Sequence, residues 1–368
     1  MAVKRPKWPA GRVVGVTHVS RVLADNPLGD PRERVHDAWL PPQYDQARGR
    51  GRGRRFPVLF DLVGFTGSGK SHTNWRNFEE NVPERAARLV HERKMDPCII
   101  VFPDCFTALG GNQYINSTAV GRYADYLTRE LVPLVDKEFR TLAGREHRGC
   151  FGKSSGGYGA LIHGMKYARY WGAIASHSGD AYFDFAYRCE WPETLAELAK
   201  YKQPRAKEGP VDAAALDRGA EPGEDDGRVR RFLERVRRRA TLSSAEIHCL
   251  TNLAMAASYD PDPRAPNGFR LPFRLDTGEI VAARWRRWLR HDPIHLVARY
   301  AVNLKTLRGM YIDCGWRDQF RLLYGARTLS QRLRRHGIEH AYEEFDGTHS
   351  GIDHRMDTSL PFLSRALR

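Results

Sequence analysis

The chain alternates short apolar runs with longer segments in which apolar residues recur at helical spacing. Strands are predicted at residues 12–22, 35–40, 56–63, 98–102, 147–151, 171–177, 307–313 and 339–345. Helices are predicted at residues 84–93, 122–139, 156–164 and 319–336, and again at the end of the chain. Because apolar strands alternate with helices, we predict an α/β fold with a mostly parallel central sheet and helices on both faces.

The alternation stops between residues 181 and 303. This part contains an arginine-rich segment at 228–239, an apolar helical segment at 243–259 and a tryptophan-bearing helix at 282–289. We interpret 181–303 as a helical cap inserted between two parts of one α/β core, 1–180 and 304–368. Two roles are open for its aromatic side chains, which either line a substrate pocket or pack the cap against the core: Tyr182, Phe183, Phe185, Trp191, Trp285 and Trp288.

The charge of the chain is strongly positive. Its 368 residues carry a formal net charge of +15, and arginine is concentrated at 48–55, where it alternates with glycine, and at 228–239. Such a charge attracts nucleic acid, anionic membranes or anionic substrates. No aromatic residues are interleaved with the Gly/Arg run and no nucleic-acid motif accompanies it, so nucleic-acid binding is not expected. The role of residues 48–55 is left open.

The cysteines and the apolar runs bear on metal binding and location. Six cysteines are scattered without a C-x-x-C pair or a Cys/His metal spacing, so we expect reduced thiols and no bound metal. The sequence contains no run of about 20 apolar residues, which is the length that a membrane-spanning helix needs. The basic N-terminal residues are not followed by the apolar segment of a signal peptide. The expected location is the cytoplasm, with no membrane association.

A glycine-rich loop after the third predicted strand permits two interpretations. Gly64–Ser71 matches G-x-x-x-x-G-K-S, the phosphate-binding pattern of P-loop proteins. However, the residues from Ser71 onward begin a helix poorly. Pro103 also disturbs the strand end where the metal-binding carboxylate of such proteins, here Asp104, should lie. Predicted strands also precede the loop, whereas P-loop domains usually open with it. In the second interpretation, Gly64-Phe65-Thr66 turns over an active serine as an oxyanion loop.

A serine turn follows the predicted strand at 147–151. Gly152-Lys-Ser-Ser-Gly156 is a G-x-S-x-G, in which the glycines let strand and helix approach around an exposed Ser154 hydroxyl. A serine nucleophile needs a histidine base and a carboxylate, which follow it in the order Ser, Asp or Glu, His in such folds. His349 follows the last predicted strand. Asp318 follows the strand before it, and Asp313 is the second choice for the acid.

Several segments together resemble the putative-esterase family of α/β-hydrolases, which includes esterase D (S-formylglutathione hydrolase), enterochelin esterases and mycolyltransferases. The similar segments are Pro57–Gly64, Val101–Asp104, Tyr123–Leu127, Glu130–Asp136, Gly152–Leu161, Ser176–Gly179, Ile312–Phe320 and Asp346–His349. The resemblance implies an α/β-hydrolase fold, a Ser154–Asp318–His349 triad, and backbone N–H groups of Phe65 and Ser155 as oxyanion donors. It implies no metal and no cofactor.

The sequence therefore predicts a serine hydrolase that cleaves a small-molecule carboxylic ester through an acyl-enzyme. Two positions depart from the family pattern, which has histidine where this chain has Val63 and Lys153. A loop after a strand end supplies three candidate substrate-binding residues, Asn112, Gln113 and Tyr114. The alternatives are a nucleotide-binding protein that uses Gly64–Ser71 and a noncatalytic relative of the α/β-hydrolases. The natural substrate is left open, as is the choice between monomer and homo-oligomer.

Overall fold

The computed structural model describes residues 7–46, 53–202 and 225–368. The strands in these ranges are β1 (Arg12–Val19), β2 (Glu33–Leu40), β3 (Val58–Leu62), β4 (Ile99–Phe102), β5 (Asn116–Ser117), β6 (Gly121–Arg122), β7 (Arg148–Lys153), β8 (Ala173–His177), β9 (Gly309–Gly315) and β10 (Ala341–Phe345). In this part of the chain, eight strands form one sheet in the order β1-β2-β4-β3-β7-β8-β9-β10. The strands from β4 to β10 in this order are parallel, and β2 is antiparallel to both β1 and β4. The predicted mostly parallel sheet is confirmed.

Helices cover both faces of the sheet, as predicted. They are α1 (Pro42–Gln46), α2 (Lys70–Thr73), α3 (Val82–His91), α4 (Tyr123–Asp125), α5 (Val132–Glu138), α6 (Ser155–Lys166), α7 (Phe183–Ala186), α8 (Trp191–Ala199), α9 (Arg228–Arg237), α10 (Ser244–Tyr259), α11 (Ala282–Leu289), α12 (Pro293–Leu296), α13 (Ala301–Lys305), α14 (Leu322–Arg335) and α15 (Met356–Ala366). Two of these helices begin with a capping box, in which side chain and backbone at the first turn bond reciprocally: Asn81 with Glu84 in α3, and Ser243 with Glu246 in α10.

Two hydrophobic cores lie on opposite faces of the sheet. Successive side chains of a strand point to opposite faces, so in β3 Phe60 joins the core under α6 and α14, while Leu59 joins the core under α3 and α15. Cys150 and Phe151 of β7 divide in the same way. Central strands buried on both faces need mostly apolar residues, which explains the apolar runs in the sequence.

The predicted helix at 122–139 is interrupted. The structure has α4, then a π-helical segment at Tyr126–Leu131, then α5, in which Pro133 lies in the first turn. Proline lacks an N–H and its ring clashes with the carbonyl four residues earlier in a regular helix. The wider π turn directly before Pro133 accommodates it. The expectation of one regular α-helix was therefore wrong in its middle.

The helices of the cap, residues 181–303, share the core of the body. Tyr158 of α6 packs against Phe183 and Tyr259 of the cap, with ring centroids 6.1 and 5.9 Å apart. The cap tryptophans pack on one another, and Trp191 lies 5.0 Å from Trp285 between ring centroids. These contacts favour packing over pocket lining as the role of these aromatic residues. The boundaries 1–180, 181–303 and 304–368 stay a prediction.

Residues 48–52 of the Gly/Arg run lie outside the described residues, and so do residues 203–224 of the cap. At the described end of the run, Arg55 donates to the Thr141 carbonyl at 3.1 Å and the Arg54 guanidinium lies 5.2 Å from the Phe56 ring centroid. Among the helices that the structure describes, none combines the length and apolar character needed to cross a membrane.

Stability should fall in mild acid because of His163, which is fully buried in α6. Trp171 Nε1 donates to its Nδ1 (3.0 Å), so Nε2–H donates to the Tyr114 carbonyl (2.9 Å) and the ring is neutral. Burial lowers the pKa of His163 to about 4 from about 6.5. Between these values the unfolded chain binds a proton that the folded chain does not, so stability is lost as the pH falls, by up to about 3 kcal/mol at pH 4.

Urea denaturation of the wild type and His163→Gln between pH 7 and pH 4 checks this prediction. Glutamine can keep one donor and one acceptor but does not titrate. The variant should therefore lose less stability on acidification, although His36 and His291, whose pKa values burial lowers to about 3, act in the same window. Identical pH dependence in both proteins would contradict the role of His163.

Candidate active site

The turn between β7 and α6 presents Ser154 at the carboxyl edge of the sheet. Its backbone has φ +57° and ψ −125°, a conformation that is strained for a residue with a side chain. Its N–H donates to the carbonyl of His177 in β8 at 3.0 Å. A Cβ at Gly152 or Gly156 would collide with the Leu62 carbonyl of β3. Glycine at both positions therefore lets β3, β7 and α6 converge around the serine.

A histidine and a carboxylate meet beside this turn. His349, after β10, bonds through Nδ1 to Asp318 Oδ2 at 2.8 Å, and the Asp318 side chain is fully buried. Asp318 Oδ1 accepts the N–H of Phe320 at 2.9 Å, and Gln319 Oε1 accepts the N–H of His349 at 2.9 Å. These bonds fix the imidazole and leave Nε2 as its nitrogen for proton transfer. His349 and Ser154 line the same pocket.

Asp313, the second choice for the acid, has different partners. It is fully buried in β9 and bonds to His177 Nδ1 at 2.8 Å, to Arg355 Nε at 2.9 Å and to the Tyr311 hydroxyl at 3.1 Å. Burial alone would raise the pKa of Asp313, but His177 and Arg355 lower it. Asp313 therefore belongs to a buried network at β8 and β9, while Asp318 is the carboxylate bonded to His349.

The loop at Gly64–Gly67 lies against the serine turn. A Cβ on Gly64 would be 3.5 Å from Ser154 Cβ, and Gly111 approaches the Phe65 backbone so closely that any side chain would collide with it. Phe65 is thus held beside Ser154, and Ser155 is the first residue of α6. The backbone amides proposed as oxyanion donors come from these two segments. The helix after the loop, α2, has only four residues, and the Ser71 hydroxyl bonds back to Ser68.

The three candidate substrate-binding residues are buried behind this loop. Gln113 Nε2 donates to Ser155 Oγ at 2.7 Å, and the Tyr114 hydroxyl donates to the Val63 carbonyl at 2.6 Å. Asn112 Oδ1 accepts the N–H of Tyr114 at 2.6 Å. None of the three is among the described residues that line the pocket. They brace the segments that carry Phe65 and Ser155, and direct substrate contact by them stays a prediction.

Asp180 is a pocket residue that sequence reasoning missed. It is 5% exposed, and its Oδ2 accepts from the hydroxyls of Tyr187 (2.7 Å) and Ser155 (3.3 Å). Burial raises the pKa of Asp180. The sequence did contain a signal that Asp180 could lie in the site. Asp180 closely follows β8, at the carboxyl edge of the sheet, where ligands bind in parallel sheets.

The pocket around Ser154 and His349 has a volume of about 840 Å³. One wall comes from the cap and includes Tyr187, Glu190 and His248. Glu190, Glu193 and His248 form the only group in the described residues that could offer three ligand atoms to a metal. His248 Nδ1 lies 3.5 Å from Glu190 Oε2 and 3.7 Å from Glu193 Oε2.

Comparison with known proteins identifies the family. Esterase Rv1288 of Mycobacterium tuberculosis is 32% identical over 161 residues, 41% of this chain and 31% of that protein's length. A ferulic acid esterase superposes with a TM-score of 0.58 at 19% identity, covering 96% of this chain and 98% of its own. An S-formylglutathione hydrolase from Agrobacterium tumefaciens gives 0.55 at 16% identity, covering 98% and 97%. These similarities confirm the α/β-hydrolase fold.

A family model described as putative esterase matches residues 31–357, which is most of the chain. The matched range contains the serine turn, the cap and both residues of the His349–Asp318 pair. The chain therefore belongs to the putative esterase family of α/β-hydrolases.

Proposed function

We propose that the chain hydrolyses carboxylic esters of small molecules through an acyl-enzyme on Ser154. The strongest support is the 2.8 Å bond between His349 Nδ1 and Asp318 Oδ2, in a pocket that also exposes a strained serine. Membership of an esterase family agrees with this chemistry. Nucleotide binding at Gly64–Ser71 has no comparable support, because the helix after the loop is a single turn.

In the proposed mechanism, His349 Nε2 takes the hydroxyl proton as Ser154 Oγ attacks the ester carbonyl. Asp318 stabilises the imidazolium that forms. The N–H groups of Phe65 and Ser155 bind the carbonyl oxygen as it becomes an anion, and one such donor is typically worth roughly a hundred- to a thousandfold in rate. His349 returns the proton to the leaving alkoxide. A water molecule, deprotonated in turn by His349, then releases the acid and restores Ser154.

Replacement of Ser154 by alanine should abolish ester hydrolysis. With 4-nitrophenyl acetate, the rate should fall by at least about a thousandfold, because the nucleophile is lost while the fold remains. A fluorophosphonate should add once to the wild type at Ser154 and not to Ser154→Ala, as read by intact mass and peptide mapping. Ser350→Ala is the matched control, since Ser350 is an exposed serine that lines the same pocket, and the substitution should leave labelling unchanged.

Two outcomes would contradict the proposal. Undiminished ester hydrolysis by Ser154→Ala would exclude Ser154 as the nucleophile. A folded wild type that is not labelled and does not hydrolyse esters would favour a noncatalytic protein.

The roles of the two aspartates in and after β9 can be separated by matched substitutions. Asp318→Asn should lower kcat by roughly a thousand- to ten-thousandfold with a small change in KM, because the imidazole loses its correct tautomer. Asp313→Asn should instead lower the free energy of unfolding, by about 3 kcal/mol, because Arg355 loses its buried partner. Steady-state kinetics and urea denaturation of both variants measure this difference. The assignment fails if Asp313→Asn alone loses kcat at unchanged stability.

A further inference from the structure

One part of the pocket lining carries basic side chains that the proposed mechanism does not use, and we call it the basic wall. This basic wall consists of His72, Arg76 and Lys153, and it lies next to the Gly64–Ser71 loop. The carboxylate Asp353 lies among them and bonds to Arg76 Nη1 at 2.7 Å. Arg76 also pairs with Glu79, an exposed residue, at 3.0 Å. The wall therefore combines paired and unpaired cations beside the serine turn.

Lys153 is the cation without a partner. It is the last residue of β7 and directly precedes Ser154. Among the described residues, its ammonium has no hydrogen bond and no carboxylate within ion-pair distance. The acids that act on it, Asp353 and Asp318, are already bonded to Arg76 and His349. Burial lowers the pKa of Lys153. A half-buried ammonium without a counter-ion is costly, and a bound anion would offset that cost.

His72 supplies a second donor on the same wall. Its Nδ1 lies 2.6 Å from Oδ2 of Asp61, which is fully buried in β3. Burial alone would lower the pKa of His72, but the charge and hydrogen bond of Asp61 raise it. Because Nδ1–H donates to Asp61, Nε2 carries an N–H for a ligand in the pocket when the ring is protonated, which is the form that Asp61 favours. The charge of Asp353 acts on both His72 and Lys153, and both side chains line the same pocket.

The charges of the pocket would orient an anion. Glu190 of the cap and the buried carboxyl of Asp180 line the pocket and do not favour an anion, while Lys153 and His72 line it as bases. Arg85, another cation of the lining, lies 3.8 Å from Glu80 and is offset by it. An anion is therefore favoured beside Lys153, which directly precedes Ser154.

We propose that Lys153 and His72 form an anion subsite, so that the preferred substrates are esters carrying a carboxylate or phosphate within a lysine side chain's reach of the scissile carbonyl. This inference rests on the proposed ester hydrolysis and specifies its substrate class. Half-esters of short dicarboxylic acids and esters of small hydroxy acids have this geometry. Both residues act on specificity and leave the proton transfers to His349.

The test compares esters that differ only in charge. Mono-4-nitrophenyl glutarate is paired with its methyl ester, for a charge on the acyl half, and 4-acetoxybenzoate with its methyl ester, for a charge on the alcohol half. The measured quantity is the ratio of kcat/KM for the acid to that for the methyl ester. In at least one pair this ratio should fall by about ten- to a hundredfold in Lys153→Met, as expected for loss of a hydrogen bond to a charged group. Lys153→Arg should retain it.

Lys70→Met is the matched control, because Lys70 is an exposed lysine of the Gly64–Ser71 loop that does not line the pocket. It should leave the ratio unchanged. If Lys153→Met does not fold, His72→Gln serves as the second variant and should also lower the ratio. Inhibition of neutral-ester hydrolysis by monomethyl glutarate and by inorganic phosphate distinguishes a carboxylate subsite from a phosphate subsite.

Two negative results are distinguishable. If the wild type hydrolyses the neutral esters and the ratio is the same in wild type, Lys153→Met and His72→Gln, the anion subsite is overturned and ester hydrolysis stands. If the folded wild type hydrolyses none of the four esters and Ser154 does not react with a fluorophosphonate, the proposed function fails and the subsite with it.

Discussion

The close approach of three backbone segments is the constraint on which the rest of the site depends. The Leu62 carbonyl of β3 lies against both Gly152 and Gly156, so that strand, turn and helix meet with no room for side chains. Between the glycines, Ser154 adopts a positive φ that typically costs about 1–3 kcal/mol. The pairing of β7 with β3 and β8 on either side stabilises that conformation. The strained serine is therefore a product of the central sheet.

A buried hydrogen-bond network extends this constraint into the cap. The hydroxyl of Tyr259 in α10 donates to Gln113 Oε1 at 3.1 Å, and Gln113 in turn donates to Ser155. Tyr187 of the cap reaches the same serine through Asp180. Because Ser155 is a proposed oxyanion donor, cap helices lie only two hydrogen bonds from the reacting region. The cap thus supports the site as well as covering it.

Local patterns in the sequence were sufficient to predict the sheet and the serine turn. Strands buried on both faces are mostly apolar, and the glycines around Ser154 mark a crowded turn directly. The choice between Asp313 and Asp318 depended on partners remote in the chain, since both lie close to the end of β9. Only the fold brings Arg355 and His177 to Asp313 and leaves Asp318 with His349.

Other features depended wholly on tertiary contacts. A regular helix was expected at 122–139 because apolar spacing does not register how Pro133 changes the turn before it. The role of Gln113 was not readable, because its partners Ser155 and Tyr259 come from distant segments. Lys153 was visible as a departure from a family pattern. Its lack of a partner became apparent only when Asp353 and Asp318 were found bonded elsewhere.

Because the cap lies between β8 and β9 in the chain, the central sheet cannot be completed until the cap has been synthesised. β8 leaves the ribosome before the cap, and β9, its neighbour in the sheet, follows only after it. Until then, the edge of β8 presents unpaired N–H and C=O groups that other strands can bind. His349 and Asp318 emerge later still. A nascent chain therefore carries Ser154 beside an open sheet edge before the rest of the site exists, and that edge is exposed to other strands while the cap is being synthesised.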